Sequence, residues 1–207
     1  KKTGLPGLIP AAISMGFSGD GLWLPEMAAY SRLAKKTKYK EYLIRRMELS
    51  AFSPIFMINE SMRIKKSPGQ WSDQELTGHF ARLSHIWADM ATYHAETMDA
   101  YIKDGLPPIR HCWIHYEEER QLMSLDQQYM YGRDILVAPV LEQGKELAKA
   151  VLPNDSWVHL WTSRTFGAGE LLIEAPLGYP PVFYRACSEW AGLFEGLRRS
   201  ARQKARL

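Results

Sequence analysis

Apolar residues recur at helical spacing through the first half of the chain. Between residues 39 and 51 one lies at every fourth position, which predicts an amphipathic helix that the next proline ends. A longer apolar face extends over residues 76–101. Ser72, with Glu75 three residues later, is a capping box that predicts the start of this helix, and Gly105 predicts its end. Because about thirty residues exceed the usual helix length, we expect a kink or break within it.

Other apolar runs in this half predict three short elements. Residues 5–15 are almost continuously apolar, and Pro10 suits a first helical turn, so we expect a short buried helix over residues 10–15. Residues 22–24 predict a very short strand. The aromatic and aliphatic run 109–116 predicts a buried strand.

The pattern changes near residue 134, where helical repeats give way to short apolar runs between turn residues. The run 135–140 is β-branched and aliphatic, which predicts a buried strand. Pro139 cannot donate to a strand ladder, so this strand should lie at a sheet edge or stop there. Residues 157–161 alternate, which places two tryptophans and His159 on one face. Further strands are predicted at 150–152, 170–175 and 182–185, and a terminal helix from Trp190.

This change of pattern predicts two domains, residues 1–133 and residues 134–207. The first holds helices and a few strands that are apolar on both faces, which is typical of a parallel sheet covered by helices. Two or three strands cannot close a barrel, so we expect the remaining strands upstream. The second holds four or five strands, enough for a small antiparallel β-sandwich followed by a helix.

Composition and charge exclude several classes of function. Apolar residues make up 46% and charged residues 24%, as is usual for globular proteins. A net charge of +3 is too small to indicate a nucleic-acid partner, and no apolar run reaches the ~20 residues that cross a membrane. The two cysteines make neither a disulfide framework nor a metal-binding spacing, so we expect a reducing compartment, the cytoplasm.

The start of the chain imitates a signal peptide, because two lysines precede an apolar stretch. Pro6 and Pro10 disfavour that interpretation, and the first residue is lysine rather than methionine. We expect an internal start, in a chain cut from a longer protein.

Several motifs, in order along nearly the whole chain, resemble glycoside hydrolase family 31. The run GRDILVAPV at 132–140 is similar to the sequence that joins barrel and β-domain in that family. Four other segments resemble its sulfoquinovosidase branch: GHFAR at 78–82, HYE at 115–117, DSWVH at 155–159 and PVFYRA at 181–186.

The resemblance implies a retaining α-glycosidase, with a (β/α)8 barrel followed by an antiparallel β-sandwich. Residues 1–133 would then be the incomplete carboxyl-terminal part of the barrel. Retaining glycosidases use one carboxylate as nucleophile and another as general acid/base. In this family both are aspartates on strands that precede the matched region, so the resemblance implies that both lie upstream of Lys1. We therefore expect the isolated chain to be inactive and the whole protein to act on an α-glycoside without metal or cofactor; homo-oligomerisation stays open.

The resemblance also implies that the chain carries the last part of the rim of the sugar site. Glu26 and Tyr30 match an acidic residue and a tyrosine in a family loop, and that tyrosine helps to hold the sulfonate in sulfoquinovosidases. Asn59 and Glu60 match the last two positions of the family segment Met-Arg-Thr-His-Glu. Arg110 keeps its family identity, and the resemblance implies that it binds loop backbone.

The chain departs from the family at two neighbouring positions. Met57 stands where the family has arginine, and Asn59 where it has the histidine that lines the sugar subsite. These departures leave open a degenerate homologue that binds or scaffolds but no longer hydrolyses. A carbohydrate-binding sandwich, with Trp157 and Trp161 as its platform, is a third alternative, although a sandwich core explains two tryptophans better. Loop acids are also commonly solvated, and an arginine beside a buried strand is commonly a structural anchor that pairs with a carboxylate.

Overall fold

Helices predominate in the first half of the chain and strands in the second in the computed structural model, which describes residues 4–23, 27–29, 37–60 and 73–204. Helices α1 to α5 lie at Leu5–Phe17, Thr37–Ala51, Gln74–Asp89, Ala91–Asp104 and Ala191–Lys204. Strands β1 to β5 lie at Met27–Ala29, Ile58–Glu60, Ile109–Arg110, Tyr129–Tyr131 and Ile135–Val137. Strands β6 to β10 lie at Leu147–Leu152, Trp157–His159, Thr165–Phe166, Gly169–Glu174 and Val182–Arg185.

The long apolar face predicted at 76–101 is divided between α3 and α4. The expected break is confirmed and lies at Met90, which ends α3 and caps α4 with non-helical dihedral angles. Helix α4 ends at Gly105, as predicted, and its φ of 72° is the left-handed conformation that glycine adopts most easily.

Strands β1 and β2 pair in parallel, with α2 between them in sequence. Parallel strands need a crossover connection, and a helix in the crossover runs back antiparallel to both strands. The first turn of α2 therefore lies at the level where β1 and β2 end. Among the described residues this pair is the one parallel contact, and no closed barrel is present there.

Six strands of the second half form one antiparallel sheet in the order β3-β4-β5-β10-β7-β8. Its central strands are buried on both faces, because successive side chains point to opposite sides of a strand and both sides are covered. Tyr129 and Tyr131 pack with helices α1 to α5, whereas Met130 packs with Trp157 and Phe183 in a second cluster on the other side. Strand β5 stops at Val137, before Pro139, as the sequence predicts.

Strands β6 and β9 form a separate antiparallel ribbon over the second cluster, with Leu147 opposite Glu174 and Leu152 opposite Gly169. The buried side chain of Gln128 joins this ribbon to the main sheet. Its amide nitrogen donates to the carbonyl oxygen of Val151 at 2.7 Å, and its amide oxygen accepts from the N–H of Val151 at 2.9 Å.

The strand predicted at 109–116 is wrong beyond its first two residues. Only Ile109–Arg110 pairs with β4, and Cys112–His115 is a 3-10 helix. The imidazole of His111 accepts a hydrogen bond from the N–H of Trp113 and so caps that helix. A tight turn thus replaces the extended backbone that the apolar run suggested.

Three boundaries also need correction. The helix predicted at 10–15 begins at Leu5 and extends to Phe17. The expected strand at 22–24 is not formed at residues 22–23, and residue 24 lies outside the described residues. Ser72 lies outside them too, and the residue that caps α3 is Asp73, whose carboxylate accepts from the N–H of Leu76 at 3.0 Å.

The main sheet extends across the domain boundary that the sequence predicts at residue 133, because β3 and β4 precede it. The division into residues 1–133 and 134–207 stays a prediction. Cys112 is buried, Cys187 is exposed, and both are free thiols. Within the described ranges, every helix is too short or too polar to cross a bilayer.

Candidate functional site

Two of the predicted site residues, Asn59 and Glu60, lie at the carboxyl end of β2, beside the end of β1. The parallel register sets Asn59 beside Ala28, and Glu60, the last residue of β2, beside Ala29. The backbones of Asn59 and Glu60 therefore meet the end of β1, as a shared site would require. Glu26 and Tyr30 lie outside the described residues. The role of all four residues in binding stays a prediction.

Met57 immediately precedes β2, and 43% of its surface is exposed. Its thioether is at best a weak hydrogen-bond acceptor, whereas the arginine of the family pattern would offer five donors. A polar group of a ligand would therefore find no donor at this side chain.

A cluster of charges joins the first turns of α2 and α3. The ammonium of Lys40 lies 2.9 Å from Oδ1 of Asp73 and also contacts the carboxylate of Glu75. The hydrogen bond from the N–H of Leu76, together with that from Lys40, lowers the pKa of Asp73. Burial alone would lower the pKa of Lys40, but its hydrogen bonds to Glu75 and Asp73 raise it. Lys40 and Asp73 are therefore both charged at neutral pH.

Arg110 lies below the surface, where its guanidinium orders the segment before β3. Its Nε donates to the carbonyl oxygen of Pro107 at 2.6 Å, and Nη2 approaches that of Leu106 at 3.4 Å. Arg110 thus binds backbone of the preceding loop in this structure, and its place near a sugar site stays a prediction. Its third contact is a ring nitrogen of His115, 3.0 Å from Nη1.

His115 lies between two guanidinium groups. Arg110 Nη1 and Arg133 Nη1 each lie 3.0 Å from one of its ring nitrogens. Burial, and then the charges of Arg110, Arg133 and Arg185, lower the pKa of His115 to about 4. The imidazole is therefore neutral at pH 7, and each of its ring nitrogens faces a guanidinium group.

A buried ion pair connects α2 to loops of the sheet layer. Nη1 of Arg45 lies 3.1 Å from each carboxylate oxygen of Glu48, and Nη2 donates to the carbonyl oxygens of Lys145 and Ala175 at 2.9 and 3.0 Å. The N–H of Gly178 donates to Glu48 at 2.6 Å. Burial raises the pKa of Glu48 to about 7, against the opposing charge of Arg45.

Arg82 reaches the same loop from α3. Its Nη2 donates to the carbonyl oxygen of Gly178 at 2.6 Å, and its guanidinium stacks 3.9 Å from the ring centre of Tyr179. Gly178 has a φ of 86°, and a Cβ there would meet the side chains of Arg82 and His79. A glycine is therefore needed where two helices bind this loop.

The turn at Gly132 is fixed by a hydroxyl group from α4. The hydroxyl of Tyr93 donates to the carbonyl oxygen of Tyr131 at 2.8 Å and accepts from the N–H of Asp134 at 3.0 Å. Gly132 has a φ of 62°, and a Cβ there would meet Thr97 and the Tyr93 hydroxyl. These contacts explain the glycine in the GRDILVAPV run as a packing requirement.

Trp157 and Trp161 do not form a surface platform. Trp157 is fully buried, and its indole N–H donates to the carbonyl oxygen of Pro153 at 3.0 Å. Trp161 lies beyond the end of β7, where its ring packs against Phe52 and Tyr179. The predicted common face is correct for Trp157 and His159, which are both buried, but not for Trp161.

Sequence reasoning missed the two charged groups at the contact between the layers. Arg45 and Glu48 are three residues apart, and four apolar buried residues flank them in α2: Leu43, Ile44, Met47 and Leu49. Charged residues placed among buried apolar positions are rarely unpaired. The three-residue spacing was the available signal. It predicts an ion pair between Arg45 and Glu48, but not the backbone groups of distant loops that the two side chains also bind.

Comparison with known proteins identifies what the chain is similar to. Residues 105–188 match the model of the glycosyl hydrolase family 31 C-terminal domain. The chain is 41% identical over 199 residues to a sulfoquinovosidase of Escherichia coli strain K12. The aligned region covers 94% of this chain and 29% of that protein. It is 35% identical over 197 residues to a sulfoquinovosidase of Agrobacterium fabrum, and this match covers 94% of this chain and 30% of that protein.

A solved structure gives the same result. The family 31 sulfoquinovosidase from E. rectale, in complex with an aza-sugar inhibitor, superposes with a TM-score of 0.82 over 95% of this chain and 29% of that chain, at 32% identity. An α-xylosidase from a soil metagenome shares the fold at a TM-score of 0.78 and 23% identity. The chain thus spans less than a third of the length of these relatives.

Proposed function

The chain belongs to glycoside hydrolase family 31, and we propose that it is the carboxyl-terminal part of a retaining α-glycosidase that acts on sulfoquinovosides. The observation that carries this proposal is the similarity over 94% of the chain to two proteins named sulfoquinovosidases, at 41% and 35% identity. The departures at Met57 and Asn59 are compatible with a retuned sugar subsite.

In this proposal β1, α2 and β2 are the last β-α-β unit of a (β/α)8 barrel. Their parallel pairing with a helical crossover supports that assignment. Barrel enzymes place their chemistry at the carboxyl ends of the strands, and β1 and β2 bring Asn59 and Glu60 to such an end. Both residues, with Glu26 and Tyr30, would contact the sugar from the rim of the site.

The chemistry itself would belong to residues upstream of Lys1. Double displacement needs a nucleophilic carboxylate and a second carboxyl group that serves as acid and then as base, ~5–5.5 Å apart. Family 31 supplies both as aspartates on earlier strands. The chain would supply part of the sugar-binding rim and the sheet domain behind it. The reaction would need neither metal nor organic cofactor, in a reducing cytoplasm.

The domain boundary in this proposal lies nearer residue 105 than residue 133. The matched domain begins at residue 105, and β3 is the first strand of the main sheet. Limited proteolysis of the chain should therefore leave a resistant fragment that begins near residue 105 and retains residues 134–190. A resistant fragment that lies wholly within residues 1–107 would contradict this assignment.

The test begins with the coding sequence upstream of Lys1, where a Trp-x-Gly-Asp-like segment and an earlier strand aspartate are expected. The protein that includes this segment should then hydrolyse an aryl α-sulfoquinovoside faster than the matching α-glucoside and α-xyloside. Preference for another sugar would overturn the substrate assignment.

A degenerate homologue is the second candidate, motivated by Met57 and Asn59. It would lack one or both upstream aspartates and bind sugar without hydrolysis. Calorimetry with an aza-sugar inhibitor, combined with a turnover assay, distinguishes the two, because both proteins would bind the inhibitor and only the enzyme would turn over substrate.

A further inference from the structure

Lys40 occupies a position that its own helix disfavours. It lies in the first turn of α2, where the helix dipole repels a cation, and that turn contains no acidic residue. Departures from local rules tend to mark functional or strained sites. The ammonium is compensated from outside, by Asp73 and Glu75 at the start of α3.

The cluster differs from an ordinary surface ion pair on this protein. Lys103 and Asp99 are one turn apart on α4, and their side chains are 69% and 61% exposed. The side chain of Lys40 is 22% exposed, meets two carboxylates and connects two helices. It therefore constrains the relative position of α2 and α3, which a pair within one helix cannot do.

The cluster of Lys40, Asp73 and Glu75 also lies at the level of the carboxyl ends of β1 and β2. Helix α2 runs back from the end of β1 to the start of β2, so its first turn is level with the carboxyl ends of both strands. The contact with Lys40 brings the first turn of α3 to the same level. Among the described elements, α2 follows β1 and α3 follows β2 in sequence.

We infer that Lys40 is a positioning residue for the sugar site: through Asp73 and Glu75 it fixes the starts of α2 and α3 and, with them, the strand ends that carry Asn59 and Glu60. The inference rests on the proposed function, because it needs a sugar site at these strand ends. Lys40 itself takes no part in the chemistry. Its effect is on the geometry with which the rim meets the substrate.

The experiment uses the protein that includes the catalytic segment upstream of Lys1. Lys40→Met should lower kcat/KM for the aryl α-sulfoquinovoside on the order of tenfold, mainly through KM, because a small displacement of binding groups is costly. Binding of an aza-sugar inhibitor should weaken by a similar factor. Lys40→Arg keeps the charge and should restore most of both.

Two further variants separate positioning from loss of stability. Asp73→Asn keeps the helix cap, since asparagine caps as well as aspartate, but removes the charge, so it should weaken substrate binding as Lys40→Met does. Glu41→Gln is the matched control on the next residue of α2. Its carboxylate accepts from the N–H of Gly144 in the sheet layer, so its loss should leave KM unchanged even where it lowers Tm.

The outcomes distinguish this inference from the function on which it rests. If the wild-type protein hydrolyses the substrate and Lys40→Met has the same KM and inhibitor affinity, the inference alone is wrong. It is also wrong if Glu41→Gln raises KM as much as Lys40→Met does, or if Lys40→Arg fails to restore binding. If the wild-type protein neither hydrolyses nor binds these sugars, the proposed function fails and the inference falls with it.

Discussion

Replacing Arg45 with methionine tests what holds the helices against the sheet layer. The change keeps an apolar stem but removes both bonds to Glu48 and the bonds to the carbonyl oxygens of Lys145 and Ala175. Removing one partner of a buried ion pair costs roughly 3–5 kcal/mol, because the remaining group stays buried without its main partner. We expect a loss of that size, which is a large part of the ~5–15 kcal/mol that stabilises a domain.

The loss should grow as the pH rises. Burial already raises the pKa of Glu48 to about 7, and Arg45 is the strongest of the groups that oppose the rise. In the wild-type protein the stability linked to this proton is present at acid pH and is lost as the pH rises through about 7. Without Arg45 the pKa of Glu48 rises further, so the loss continues above pH 7 at up to ~1.4 kcal/mol per pH unit. The difference between variant and wild type should therefore widen from about pH 7 to about pH 8.

Urea unfolding of the 207-residue chain, followed by tryptophan fluorescence, measures this difference at each pH. The double change Arg45→Met with Glu48→Leu removes the stranded carboxyl group, so it should recover part of the stability and lose the extra pH dependence. Lys103→Met, which breaks an exposed pair, should leave the free energy of unfolding nearly unchanged.

The reasoning is refuted if Arg45→Met costs no more than Lys103→Met, or if its cost is the same at all pH values. A double variant no more stable than Arg45→Met would also refute it. If Arg45→Met does not fold, the free energy of unfolding of Arg45→Lys is compared with that of the wild type instead. Lysine keeps the positive charge beside Glu48 but lacks the planar group that makes several hydrogen bonds at once, so this variant should lose less stability.

Three other predictions concern catalysis and acid stability. The isolated chain should not hydrolyse any aryl α-glycoside, because both catalytic carboxylates are expected upstream; measurable turnover by the purified chain would falsify this. In the full-length protein, Met57→Arg with Asn59→His should raise activity on sulfoquinovosides, since an added donor to the transition state is typically worth ~3 kcal/mol; lower activity would show that this account of the subsite is wrong. Burial lowers the pKa of His159 to about 4, so stability should fall as the pH drops below about 6.5, by about 2 kcal/mol at pH 5. His159→Gln should remove that part of the acid sensitivity in urea titrations, and an unchanged pH profile would argue against it.

Helix faces and their ends were predictable because they depend on neighbours along the chain. The four-residue spacing within α2 and the end of α4 at Gly105 follow from local geometry. The length of the apolar face predicted a break, but not its position at Met90. The run 109–116 was not predictable in the same way. Short apolar runs suit a strand or a tight turn equally, and contacts of Arg110 with the preceding backbone and of His111 with Trp113 select the turn.

In the candidate site, too, some features could be predicted from the sequence and others depend on tertiary contacts. The motif matches predict that Asn59 and Glu60 lie at the rim of the site, and the register of β1 and β2 brings their backbones to one strand end. The partners of Lys40 could not be predicted, because they lie more than thirty residues away on another helix and meet it only through the packing of α2 on α3. A sequence pattern identifies a charge, but tertiary packing decides what neutralises it.

The bonds between Gln128 and Val151 also bear on aggregation. Strand β6 pairs with β9 along one edge, and at Val151 the N–H and C=O groups face the other edge. Such groups can template a strand from another molecule. The side-chain amide of Gln128 bonds to both the N–H and the C=O of Val151, as the backbone of a neighbouring strand would. A further strand would itself expose a new open edge, whereas a side chain does not. Gln128 thus protects this part of the ribbon against intermolecular pairing with a single buried residue.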